Sequence, residues 1–127
     1  MKVKRSERGW AGHYICANKC RFRRNTLLEC DEIRIVVSTV GLMDLKGDGS
    51  FEGVGADRHF ETMAFHADPT DSRYHDADVE REVSFGSPWH INEVDADDRA
   101  NDMHEAVVAE IAAGLEGGKI YKETPDA

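Results

Sequence analysis

The run Ile33-Arg34-Ile35-Val36-Val37-Ser38-Thr39-Val40 constrains the fold of this chain more than any other segment. β-branched side chains are stiff at χ1 and pack well on a pleated surface, so this run reads as a strand. Its apolar residues fall on both alternating faces, which predicts a central strand with material above and below it. Residues 26–30 form a strand candidate just before it, with Asp31-Glu32 as a tight turn between the two. Three further segments alternate with period two: residues 11–17, 58–66 and 79–85. In the last, Val79, Val83 and Phe85 are expected inward with Arg81 sharing their parity, while Glu80, Glu82 and Ser84 face out.

Helical spacing occurs once, over residues 97–116, where Ala100, Met103, Val107, Ile111 and Leu115 make one apolar stripe. Asp95, Asp97 and Asp98 are expected to supply an N-cap and favourable charge at its start, and Gly117-Gly118 to end it. Val108, Ala112 and Ala113 widen the stripe, so the helix either lies on the sheet or is shared with a second subunit. The order of strands followed by a helix predicts an α+β fold: a mainly antiparallel β-sheet with one C-terminal α-helix. Residues 1–8 read as a flexible basic arm, 9–118 as a single domain and 119–127 as a polar tail. Between the strands, residues 41–57 carry five glycines, and Lys46-Gly47-Asp48-Gly49-Ser50 reads as the tip of a long hairpin.

Charge is divided along the chain. Residues 1–24 hold eight bases against one acid, a balance of +7, and the remainder holds eight bases against 24 acids, a balance of −16. The resulting −9 repels nucleic acid and anionic membrane at long range, so nucleic-acid binding is not expected. No run of about 18 apolar residues is present to span a membrane. The first ten residues lack the apolar stretch of a secretory signal. An odd count of three cysteines (Cys16, Cys20, Cys30) fits a reducing cytoplasm rather than a disulfide framework.

The chemistry-bearing cluster is residues 9–25, G-W-A-G-H-Y-I-C-A-N-K-C-R-F-R-R-N. Its aromatic faces, guanidinium groups and amide are the groups a nucleotide requires: stacking for the base, bidentate donors for phosphate, directional bonds for the base edge. The expected ligand-binding residues are Trp10, His13, Arg21, Arg23, Arg24 and Asn25. On an extended chain Arg21, Arg23 and Asn25 point one way and Phe22 and Arg24 the other, so one ligand reaches them all only through a turn or a second subunit. The competing reading is an edge strand protected by its charges.

Other constellations fail on spacing. His13, Cys16, Cys20 and Cys30 lack the C-x2-C and downstream pair of a zinc site, and buried thiols are the reading taken. Residues 44–55 echo a calcium loop, but Lys46 and Gly55 occupy positions that need acids. No cofactor or metal is expected. Nothing sets a nucleophile, base and oxyanion hole at recognisable spacing, so no enzymatic activity is expected. His66 reads as a hydrogen-bonded structural histidine and His104 as a boundary residue beside the helix stripe.

The string spanning residues 8–29, with E-T-M-A-F-H-A at 61–67, resembles small phage- and prophage-encoded proteins over most of residues 8–115. The size and strand-then-helix order resemble the phage anti-Thoeris proteins, which sequester cyclic ADP-ribose-type signals. The resemblance implies a homo-oligomer in the host cytoplasm that holds a small anionic nucleotide without degrading it. No site residue is carried over from that family. The alternative expectation is an acidic protein–protein modulator that inhibits a host enzyme or defence complex.

Overall fold

A computed structural model describes residues 2–8, 13, 19–55, 57–71 and 76–121. The chain runs β1 (Lys4–Glu7), β2 (Cys20–Cys30), β3 (Ile33–Met43), β4 (Phe60–Ala67), β5 (Ala77–Val83), β6 (His90–Ile91) and α1 (Asp97–Glu116). The strands form one antiparallel sheet in the order β1-β2-β3-β4-β5, and β6 pairs with the start of β4. The fold is therefore α+β, mainly sheet, with one C-terminal helix. Among the described residues no helix is long and apolar enough to cross a membrane.

β3 is central, as its composition requires: every residue from Ile35 to Met43 is buried. Its register with β2 and β4 builds rows across the sheet, Arg24–Thr39–Thr62 on the helix face and Arg23–Val40–Glu61 on the other. α1 packs its stripe against β2, β3 and β4, joining Val107, Val108, Ile111 and Leu115 to Leu28, Ile35, Val37, Ala64 and Val83. The opposite face carries separate apolar clusters, one of Leu27, Val36 and Ala67 and another of Cys20, Val40, Met43 and Val54.

Several local expectations are corrected. Residues 4–7 form β1 instead of a free arm, because Arg5 reaches Glu105 on α1 and Glu7 accepts hydrogen bonds from Arg24 and Thr26 on β2. The N-cap is Ala96 with no side-chain cap bond, so Asp97 and Asp98 act only through first-turn charge. Val79 is 58% exposed, since β5 is an edge strand and α1 does not reach over it. His104 is fully buried, not at a boundary. In the 119–127 segment Tyr121 is buried, held where His66 Nε2 donates to its carbonyl at 3.0 Å. The strand expected at residues 11–17 lies outside the described residues except for His13.

The glycine hairpin is closed by its own first acid. Asp44 accepts backbone N–H groups from Gly47, Asp48 and Gly49, and Gly47 and Gly49 take φ of +72° and +82°. Three donors converge on one carboxylate, so the loop is an anion-capped turn.

Candidate functional site

Period-two geometry separates the arginines of β2. Arg24 turns to the helix face, where it donates to Asn101 at 2.9 Å, Glu105 at 2.8 Å and Glu7 at 2.7 Å. Arg5 grips the same Glu105 carboxylate with two bonds of 2.8 and 2.6 Å. The Arg5 hydrogen bonds, followed by those of Arg24, hold the Glu105 carboxyl down at about 2. Arg24 is thus a brace joining β1, β2 and α1. It is not brought to the other predicted residues.

Arg23 and Asn25 lie on the opposite face. Asn25 is buried and pairs across the sheet with Ser38. Arg23 is exposed, and among the described residues it is the one arginine without a hydrogen bond, carboxylate or ring partner. The Arg21 guanidinium is 5.7 Å from the Phe51 ring centroid and lines a groove with Asp95, Asp97 and Asp98. Trp10 lies outside the described residues.

His13 is the centre of a buried polar system on that same face. Its backbone N–H donates to Ser38 Oγ at 3.1 Å, its Nδ1 lies 2.8 Å from the same oxygen, and its Nε2 lies 2.8 Å from Glu61 Oε1. An ionised Glu61 only accepts, so Nε2 carries the proton. In the neutral ring Nδ1 then accepts the Ser38 hydroxyl proton. Arg58 completes the set by placing Nη1 2.8 Å from Glu61 Oε2.

The Arg58 guanidinium is held flat. Trp89 covers it with the ring centroid 5.0 Å away, and on another side the Gly55 backbone comes so close that a Cβ there would lie 2.8 Å from Nε. Such stacking pre-organises the group for bonding in its plane. Together His13, Arg58, Glu61, Met63, Glu82 and Trp89 line a cleft of about 600 Å³. It opens where β4 lacks a strand partner, between its pairing with β6 at Phe60–Glu61 and with β5 from Ala64 onward. Thr62 there donates its N–H to Trp89 O at 2.7 Å, which seats the indole beside the gap.

Ser38–His13–Glu61 has the connectivity of a serine–histidine–acid relay, but Ser38 is fully buried and its oxygen already accepts the His13 N–H. A carbonyl substrate has no approach to that oxygen, so the arrangement can bind, orient and accept hydrogen bonds. Cys20 and Cys30 terminate the same strand, ten residues or roughly 33 Å apart, so one ion cannot take both. Among the described residues no group of three His, Cys, Asp or Glu side chains is placed to hold a metal.

Of the predicted ligand residues, the fold brings His13, Arg23 and Asn25 to one face and sends Arg24 to the other. Arg58, Glu61 and Trp89 were missed. The available signals were an arginine and a glutamate bracketing His59-Phe60 after the glycine loop, and a tryptophan following the Gly86-Ser87-Pro88 break. Fold and site together define a small α+β protein with a polar cleft at a gap in its sheet. No family model, curated protein or solved structure matches this chain.

Proposed function

We propose that this chain is a non-enzymatic binding protein that captures a small anionic nucleotide, with the base in the Trp89 cleft and the phosphate at Arg23. The observation that carries the reading is the row Arg23–Val40–Glu61. It sets a free guanidinium two strand spacings, roughly 10 Å, from the floor of the cleft. An arginine side chain covers much of that gap, and its planar fork suits phosphate. In a phage-infected cell, such capture would lower the concentration of a nucleotide immune signal such as a cyclic ADP-ribose isomer.

Calorimetry against cyclic nucleotides and ADP-ribose derivatives tests this. Micromolar binding that Arg23→Ala weakens, with the ligand recovered chemically unchanged, is expected. Absence of any binding below about 1 mM, a free energy near −4 kcal/mol, removes the reading. Native mass spectrometry of the same samples reports whether capture occurs in a homo-oligomer.

One observation favours a second reading, an acidic protein–protein modulator. The edge strand β5 exposes Val79 beside Glu80, and an extended basic segment of a partner could add to it. Charge reversal at Glu80 and Glu82 would abolish capture of such a partner, while Arg23→Ala would not.

A further inference from the structure

We infer that Gly55 is the positioning residue of the Trp89 cleft, keeping two Arg58 donors, Nε–H and Nη2–H, for an uncharged acceptor on the ligand. The inference rests on the nucleotide-binding reading above and assigns that acceptor to the base.

Neither backbone conformation nor burial calls for glycine at residue 55. The described glycines with positive φ are Gly47, Gly49 and Gly118, so an alanine at 55 would meet no left-handed strain. Gly55 is also exposed. What a side chain there would meet is Arg58. A Cβ on Gly55 would lie 2.8 Å from Nε and 2.9 Å from Nη2, closer than non-bonded atoms pack. Backbone bonds hold the two residues together: Arg58 N–H donates to Gly55 O at 3.2 Å, and Val54 N–H donates to Arg58 O at 2.8 Å. The bare Cα of Gly55 therefore decides where the guanidinium lies.

In that place the guanidinium has one hydrogen-bonded commitment and spare donors. Nη1 is 2.8 Å from Glu61 Oε2, and the Trp89 ring centroid is 5.0 Å from the guanidinium carbon. Among the described residues Nε is buried without a hydrogen-bond partner. Nη2 has none there either, yet it is not buried, and Arg58 lines the cleft. An arginine that served only to hold Glu61 would gain nothing from an unpaired buried donor, which is costly.

Charge then decides what kind of group these donors take. Glu61 balances the Arg58 charge and is itself buried, so an added anion would face its carboxylate at close range. A carbonyl oxygen or ring nitrogen accepts without that repulsion, and the charged donor strengthens its bond. A flat heterocycle also covers the half-exposed indole of Trp89. A sugar phosphate has no such face to offer.

Calorimetry of the full chain with adenosine monophosphate and ribose 5-phosphate, repeated on Gly55→Ala, tests this. The unaltered protein should bind the nucleotide about tenfold more tightly than the sugar phosphate. Gly55→Ala should remove that difference and leave ribose 5-phosphate binding unchanged. The variant should fold, because its new contact is with the far end of a flexible side chain. Should it not fold, Arg58→Lys decides: it keeps the charge opposite Glu61, lacks the planar fork, and should remove the same difference. Equal loss for both ligands overturns the inference, since it would mark a general disturbance of the site. So does an undiminished nucleotide preference in either folded variant. Equal binding of both ligands to the unaltered protein also overturns it, while leaving phosphate capture at Arg23 standing. Failure of both to bind below about 1 mM removes the nucleotide reading itself, and this inference with it.

Discussion

His104 is a fully buried imidazole with both ring nitrogens satisfied: Nε2 is 2.7 Å from Thr26 Oγ1 and Nδ1 is 2.7 Å from Thr39 Oγ1. The direction of the chain follows from its end. Thr26 gives its single proton to the Glu7 carboxylate, at 2.8 Å, and therefore accepts from Nε2–H. Nδ1 of the neutral ring accepts from Thr39, which accepts in turn from Thr62 at 2.6 Å. Nitrogen NMR should accordingly find one tautomer, protonated at Nε2. Burial, aided by the Arg24 charge and opposed by Glu7 and Glu105, pushes the His104 pKa from 6.5 down to about 4. The unfolded chain thus binds a proton at pH values where the folded one does not. Stability is complete above pH 6.5 and is lost as pH falls from 6.5 to about 4, by about 3 kcal/mol in all. Denaturant unfolding across that window should show the slope in the native protein and a flatter line in His104→Gln, which keeps a donor and an acceptor but does not titrate. Equal slopes would refute the assignment. At neutral pH His104→Leu should cost about 1–3 kcal/mol by stranding two hydroxyl contacts. The neighbouring arginines behave oppositely to one another. Arg23→Ala should change stability by less than about 0.5 kcal/mol, whereas Arg24→Ala breaks a three-partner brace and should cost about 1–3 kcal/mol. Added salt should narrow that gap, because the cluster is partly exposed and screened.

Among the elements, α1 carries an instructive glycine. A Cβ at Gly114 would fall on the hydroxyl of Tyr121, which folds back over the last turns of the helix. Elsewhere in a helix Gly→Ala gains about 1 kcal/mol, yet here it should lower the melting temperature by displacing Tyr121. In Tyr121→Phe, which lacks the closest atom, part of that loss should be recovered; additive effects in a double-mutant cycle would show that the two side chains do not meet. This pair also shows what was legible in the sequence. The α1 stripe and the β-branched run of β3 could be read because their information is local periodicity; the extent of α1 followed, while β3 continues past Val40 to Met43. The alternation of Arg23 and Asn25 against Phe22 and Arg24 was equally readable, but not the place of Arg21, which lies over Phe51 beside the start of α1. Tyr121 and β1 were not, since each is ordered by partners far along the chain: His66 for one, Glu105 and Thr26 for the other. The cleft was illegible for the same reason. Its lining comes from residue 13, the end of the glycine hairpin, β4, the end of β5 and the stretch before β6, joined only by the register of the sheet.

For the whole molecule, the division of charge along the chain becomes a joint. Arg5 and Arg24 from the basic segment close on Glu105 of the acidic remainder, with Glu7 between them, so part of the +7 is spent inside the protein. β1 thereby serves as the cover of one sheet edge, pairing with residues 26–29 of β2. Deletion of residues 2–8 should have three linked effects. Arg24 and Glu105 would each lose a charged partner, Thr26 would lose the carboxylate that sets the direction of the His104 chain, and the β2 backbone would present unpaired groups along an edge flanking buried Leu27 and Leu28. Open edges of that kind recruit other strands. The shortened protein should therefore melt lower by roughly 5–15 °C, corresponding to about 2–4 kcal/mol, and should associate as its concentration rises. Scanning calorimetry and light scattering over a concentration series measure both together. A shortened protein with unchanged melting and mass would mean that β1 is an ornament on the sheet and that β2 is a sufficient edge by itself. Lower melting without association would keep the ionic joint and assign edge protection to the charges of β2, Arg21 and Arg23 among them.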